Sequence, residues 1–189
     1  IQSQSSVMLS KEKVRKKFLL IRKKKYFQVN NFFFKPLINL IEKKGKKNIS
    51  LYYPSNYEVD TLKLFEILNL RKKIKTYLPV VSLDGKMRFL KWKPKEPLKV
   101  NHFGFVEPII IQKPILPDLI IVPLLSYDKS HNRLGYGKGY YDKFLGKYTK
   151  KNGNILTIGL AFSFQEYKKI PTSNFDIKLD YILTEKGIF

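Results

Sequence analysis

The chain has 189 residues, the size of one domain, and its 43% hydrophobic and 14% aromatic content is enough to bury a core. It contains no cysteine, which excludes a disulfide framework and a thiolate metal site. Its 37 Lys and Arg against 15 Asp and Glu give a formal charge of +22, so anionic ligands are favoured.

Residues 1–7 (IQSQSSV) are polar, lack the apolar run of a secretory signal and precede the first methionine, Met8. They read as an appended remnant or a trimmed leader, and 8–189 as a single domain. Ser10 is an N-cap for a helix through 11–27, with Val14, Phe18 and Ile21 as its buried stripe. Lys11, Arg15 and Arg22 fall together on one side of that helix, a basic face that is solvated unless an anion meets it. A second helix over 34–44 stops at Gly45. A short strand (48–53), a turn at Pro54–Ser55 and an amphipathic helix (58–70) follow, the helix with apolar positions at Val59, Leu62, Phe65, Leu68 and Leu70. Extended runs at 75–82 and 86–93 flank the turn-like Leu83–Lys86. The proline-punctuated stretch 94–117 carries no clear element. Strands at 118–125, 154–162 and 178–184, with a helix at 140–148, complete the chain. Strands alternating with helices, several of them continuous apolar runs, predict an α/β fold with a parallel sheet covered on both faces.

No apolar run reaches the ~18 residues of a membrane span, because Pro117 and Pro123 break the longest candidate. With no secretory signal either, a cytoplasmic protein is expected, import into an organelle by a removed leader remaining open. Lysine greatly outnumbers arginine, and Asn, Ile, Phe and Tyr are plentiful, so the basic charge reads as compositional drift. Nucleic-acid interfaces lean on arginine for bidentate contacts, so small anionic ligands are expected, with neither a specific nucleic acid nor a membrane as partner.

Residues 133–144, RLGYGKGYYDKF, place three glycines at alternate positions between a strand and a helix. Bare backbone amides, together with the N-terminus of the following helix, can converge on an anion. Arg133 and Lys138 bracket that cradle, and Asp142 falls in the helix's first turn, where a carboxylate can hold a hard cation against phosphates. The spacing fits neither a Walker loop, since Gly139 follows Lys138, nor the dinucleotide fingerprint, whose sixth position here is Tyr140. A nucleotide loop and a ligand-free tight turn both remain open on spacing alone. His102 and His131, the only histidines, are too few for a metal cluster and read as surface or loop residues.

The stretch VPLLSYDKSHNRLGYGKGYYD (122–142) resembles the signature of the 5-formyltetrahydrofolate cyclo-ligase (methenyltetrahydrofolate synthetase) family. Weaker matches follow in order: KEKVR (11–15), YYPSNYEVDT (52–61), FGFVEP (103–108), IGLAF (158–162) and DIKLDYILTEKG (176–187). The resemblance implies a single α/β/α domain around a mostly parallel sheet, and an ATP- and Mg2+-dependent closure of 5-formyltetrahydrofolate to 5,10-methenyltetrahydrofolate with release of ADP and phosphate. By the same resemblance Lys11 and Arg15 contact ATP phosphates. Arg133, Leu134, Gly135, Tyr136, Gly137, Lys138, Gly139 and Tyr140 form the nucleotide loop. Tyr53, Glu58, Phe103 and Tyr141 meet folate, and Asp142 and Asp176 hold magnesium. Arg133, Lys138 and Asp142 are then the residues that serve phosphoryl transfer. Where the family often has His before the second aspartate, this chain has Phe175. A nucleic-acid-binding protein driven by charge, and a kinase-like enzyme sharing the loop, are the competing readings.

Overall fold

The computed structural model describes residues 9–109, 112–152 and 154–189; the segment 1–7, read above as a remnant or leader, lies outside them. In chain order the elements are α1 (Lys11–Lys25), a 3-10 turn (Asn31–Phe34) running into α2 (Lys35–Lys43), β1 (Asn48–Ser50), α3 (Leu62–Asn69), β2 (Lys75–Val81), β3 (Met87–Lys91), β4 (Leu98–Val100) and β5 (Val106–Pro108). Then come β6 (Leu119–Val122), β7 (Ser126–Tyr127), β8 (Arg133–Leu134), α4 (Tyr140–Asn152), β9 (Leu156–Leu160), β10 (Tyr181–Thr184) and β11 (Gly187–Ile188). As the sequence predicts, Ser10 caps α1, its side chain accepting from the Lys13 amide.

Seven strands form one sheet in the order β11-β10-β9-β6-β1-β2-β3. The inner five pair in parallel, and β3 and β11 close the edges antiparallel. The central strand shows why both faces are covered. All four residues of β6 are buried, and a strand's side chains alternate between faces. Leu119 and Ile121 join a core with Leu37, Ile38 and Ile41 of α2 and Leu64, Phe65 and Leu68 of α3. Ile120 and Val122 join the opposite core with Phe144 and Leu145 of α4. The result is the predicted three-layer α/β/α arrangement. A third apolar cluster seats Val14 and Phe18 of α1 against Leu125, Leu134 and Ile170. Among the described residues, no helix is long and apolar enough to cross a membrane.

Several element bounds differ from the sequence expectation, each for a local reason. The strand predicted at 118–125 ends at Val122, because Pro123 lacks the amide a central ladder needs. The chain then makes a small antiparallel hairpin, β7 with β8, so the glycine loop follows that hairpin and not the sheet strand itself. The helix predicted at 58–70 begins only at Leu62, since 54–61 build a turn. Within 94–117, β4 and β5 pair as a two-stranded hairpin that no alternating pattern announced.

This topology fixes where a ligand can enter. From the sheet centre the chain runs β1 to β2 in one direction and β6, β9, β10 in the other. Beyond the carboxyl ends of β1 and β6 the connections diverge, and such a switch point leaves a crevice.

Candidate active site

A cleft of about 560 Å³ opens at that switch point. Its walls are the turn after β1, the end of β2, Pro123 after β6, the glycine loop, and the N-termini of α1 and α4. On the glycine-loop side, two glycines adopt left-handed conformations, Gly137 with φ 100 and Gly139 with φ 69. A Cβ on Gly137 would stand 3.2 Å from Arg15 Cζ, so α1 packs directly on bare loop backbone. The Arg15 Nε donates to the Gly135 carbonyl at 2.9 Å. A Cβ on Gly135 would lie 2.6 Å from an Arg133 guanidinium nitrogen. The alternating glycines thus make room for two arginines, one on each side of the loop. Arg133 Nε is buried and has no hydrogen-bond partner among the described residues, a donor free for an acceptor that a ligand would bring.

Opposite the loop, the turn after β1 presents Glu58. Asn56 (φ 48) and Tyr57 (φ 61) are both left-handed, an unusual pair that the surroundings must hold. The Glu58 carboxylate folds back on this turn, accepting from the Ser55 amide at 2.8 Å and the Ser55 hydroxyl at 3.3 Å. Its other oxygen accepts from the Tyr136 hydroxyl at 2.5 Å. Glu58 is only 7% exposed. Burial pushes its pKa up, and the hydrogen bonds from Tyr136 and Ser55 with the charge of Arg22 offset only part of that rise.

Two carboxylates stand at the far end of the loop. Asp142, in the first turn of α4, accepts from Arg133 Nη2 at 3.1 Å and from the Ile177 amide at 3.1 Å. Asp176 meets Lys11 Nζ at 2.5 Å and the Ser173 amide at 2.7 Å. Burial alone would raise the Asp176 pKa, but the Lys11 and Ser173 hydrogen bonds outweigh it and hold the carboxyl below its ordinary value. The remaining wall is apolar: Pro79, Val81, Met87, Phe105 and Val106. Phe105 packs edge-on to Tyr140, and Lys138 Nζ sits 5.2 Å from the Phe105 ring centroid. The Arg133 guanidinium lies 5.8 Å from the ring centroid of Tyr141, whose hydroxyl burial keeps protonated.

The sequence profile of the 5-formyltetrahydrofolate cyclo-ligase family matches residues 7–185. The chain belongs to the 5-formyltetrahydrofolate cyclo-ligase family. It is 37% identical to the 5-formyltetrahydrofolate cyclo-ligase of Haemophilus influenzae over 152 residues, which is 77% of this chain and 80% of the relative. Its fold matches the 5,10-methenyltetrahydrofolate synthetase of Aquifex aeolicus with a TM-score of 0.73 at 30% identity, covering 95% of this chain and 92% of that one. The Mycoplasma pneumoniae 5,10-methenyltetrahydrofolate synthetase matches with a TM-score of 0.68 at 25% identity, covering 93% and 98%. The chain is therefore an enzyme, a ligase of this family.

Of the cyclo-ligase residues expected from the sequence, Lys11, Arg15, Tyr53, Glu58, Arg133 through Asp142, and Asp176 all line the one cleft. Phe103 does not. It borders a neighbouring depression with Arg88, Lys99 and His102, while Phe105, two residues on, faces the cleft. The tip of the β4–β5 hairpin explains the difference: Phe103 lies within the tight turn closed between Asn101 and Phe105, and left-handed Gly104 (φ 80) separates the two rings. Sequence reasoning left Arg22 on a solvated basic face, and this is corrected: Arg22 is 1% exposed and bonds to Tyr136 at the cleft's floor. It also missed Tyr52, which lines the cleft with its hydroxyl donating to the Val59 carbonyl. Asp128, which ties the turn before the loop, was missed as well. The Asp128 carboxylate accepts from the Ser130, Asn132 and Ile170 amides.

Proposed function

We propose that this cyclo-ligase closes 5-formyltetrahydrofolate to 5,10-methenyltetrahydrofolate at the expense of ATP, with Mg2+, and that the residues lining the cleft divide between the two substrates. The observation that carries this reading is the two-sided cleft: a glycine loop flanked by Arg15, Arg133 and Lys138 on one side, the buried Glu58 with Tyr53 on the other, and Tyr141 beside Arg133. The loop amides and the three cations suit phosphates, and the orphan donor at Arg133 Nε supports an acceptor there. Glu58, ringed by tyrosines and apolar side chains, suits the N–H groups of a pterin ring.

Asp142 and Asp176 fit a magnesium ion. They are hard oxygen donors beside a phosphate cradle, and Mg2+ takes one or two carboxylates plus substrate phosphates. When bound, the metal would neutralise charge on the phosphate oxygens during transfer. The chain's own residues do the rest. Arg133 and Lys138 stabilise charge on the γ-phosphoryl group as the formyl oxygen displaces ADP from it, so one P–O bond forms and one breaks. The activated formyl carbon then bonds to N10 of the same substrate. Its C–O bond breaks, phosphate leaves with that electron pair, and N10 loses its proton. Because the second step is intramolecular, the protein needs only to hold N10 near the carbon and exclude water. No side-chain nucleophile is called for.

The test is direct. Purified chain mixed with 5-formyltetrahydrofolate and Mg-ATP should give an ATP-dependent rise in near-ultraviolet absorbance, with phosphate released one for one. A flat trace from folded protein would overturn the reading.

A further inference from the structure

Arg22 is a buried cation with no carboxylate of its own. Its guanidinium is 1% exposed and forms no ion pair within salt-bridge distance among the described residues. Instead it reaches three chain segments that meet at the switch point. Nε donates to the Asn56 carbonyl at 2.9 Å, inside the left-handed turn that presents Glu58. Nη1 donates to the Leu124 carbonyl at 3.2 Å, just beyond β6. Nη2 donates to the Tyr136 hydroxyl at 2.7 Å, in the glycine loop. A buried charge is tolerated only when it is well hydrogen-bonded and meets opposite charge nearby. Here that charge is Glu58, reached through the phenol.

The direction of this chain of bonds is fixed. A guanidinium only donates, so Tyr136 must accept from Arg22 with its oxygen and spend its one proton elsewhere. That proton goes to Glu58 at 2.5 Å. Tyr136 is also a loop residue, flanked by Gly135, whose carbonyl Arg15 holds, and by Gly137, on which Arg15 packs. Whatever grips the loop backbone at Gly135 and Gly137 therefore also grips the Tyr136 hydroxyl between them.

We propose that Arg22 and Tyr136 are positioning residues that orient Glu58, and that through them the folate subsite is set by the state of the nucleotide loop. The proposal rests on the function read above. Without a nucleotide, the Tyr136 hydroxyl is held, among the described residues, only by Arg22 and Glu58 themselves. A nucleotide seated on the loop adds a further hold on Tyr136, so Glu58 is more firmly oriented and folate binds more tightly. Linkage makes the effect reciprocal.

Calorimetric titration of 5-formyltetrahydrofolate into wild type, Tyr136→Phe, Glu58→Gln and the double variant, each with and without Mg2+ and a non-hydrolysable ATP analogue, tests this. In wild type the analogue should tighten folate binding by about fivefold or more. Tyr136→Phe removes a hydrogen bond to a charged group and should weaken folate binding by about tenfold. It should also make the affinity indifferent to the analogue. Because Tyr136 acts through Glu58, the double variant should bind no worse than Glu58→Gln alone. Arg22→Gln should show the same loss of coupling, and melting temperatures show whether each variant is folded. Losses that multiply in the double variant, or Tyr136→Phe coupling equal to wild type, would overturn the relay while leaving the function standing. Wild type that binds no folate at all would overturn both.

Discussion

Replacing Gly137 with alanine asks whether the loop backbone, beside the cationic side chains, holds the phosphates. Gly137 has φ 100, well beyond the left-handed conformation near +57° that L residues occasionally adopt. Its added methyl carbon would also press on Arg15 Cζ at 3.2 Å. Backbone strain of this kind costs about 1–3 kcal/mol. The variant escapes it by letting the loop relax, which turns amides away from the ligand, so the strain appears as lost affinity. At about 1.4 kcal/mol per tenfold, that is roughly a 5- to 150-fold weaker ATP complex. Gly139 supplies the control. It is also left-handed, at φ 69, but nothing lies within 4 Å of where its Cβ would stand. Alanine there carries only the left-handed penalty of about 1–2 kcal/mol, or roughly 5- to 30-fold. Gly137→Ala should be the worse of the two, because it also pushes Arg15 off the Gly135 carbonyl. Titration of each variant with Mg2+ and a non-hydrolysable ATP analogue measures this directly. Wild-type affinity in Gly137→Ala, or the reverse ranking in correctly folded variants, would refute the backbone cradle.

Asp128→Ala strips the turn before the glycine loop of its acceptor and leaves the half-buried amide of Asn132 and the buried amide of Ile170 unpaired. A loss of about 3 kcal/mol follows. In a chain of this size it should lower the melting temperature by ~6–12 °C, and a calorimetric shift under ~2 °C would contradict it. Asp142→Asn keeps an acceptor for the Ile177 amide but removes the charge beside Arg133. Magnesium-dependent turnover should fall by ~10–100-fold with the fold intact, whereas an unaltered magnesium titration would take Asp142 out of the metal site. Asp176, with its pKa held low, contributes stability that is complete above its unfolded value near ~4 and is lost as pH falls through the folded value. Asp176→Asn should therefore be less stable than wild type at neutral pH, with the gap closing as pH falls through the lowered folded value. Urea midpoints that stay apart at low pH would rule out this carboxylate as the source.

Much of this was legible because it is written locally. The glycines at 135, 137 and 139 alternate next to Arg133 and Lys138, so an anion cradle can be read as a candidate, beside a plain turn, before any fold is known. The parallel sheet was equally plain in the apolar runs at β6 and β9. What escaped was set by tertiary neighbours. Arg22 shares a helix side with Lys11 and Arg15, and helical spacing cannot tell a solvated arginine from one buried beneath a loop over a hundred residues later. Asp128 reads as an ordinary turn aspartate until Ile170, 42 residues on, is seen donating to it. Phe103 and Phe105 are separated only by a hairpin whose register the prolines conceal.

The charge balance of the cleft ties the nucleotide and metal readings together. Lys11, Arg15, Arg22, Arg133 and Lys138 all converge here, in a chain that is already strongly cationic. Three carboxylates temper them, and each is held by the side of the cleft it is expected to serve. Lys11 holds Asp176, Arg133 holds Asp142, and Arg22 reaches Glu58 through Tyr136. Phosphates entering alone would draw Lys11 and Arg133 away and leave Asp176 and Asp142 without cations, in a partly buried place where unpaired charge is costly. A nucleotide arriving with its metal avoids this. On the function proposed above, Lys11 and Arg133 would pass to phosphate oxygens while Asp176 and Asp142 would hold the metal, so no group would end unpaired. On that function, the pairing of Lys11 with Asp176 and of Arg133 with Asp142 would therefore favour the metal–nucleotide complex over either component. By reciprocity, each component should raise the affinity of the chain for the other.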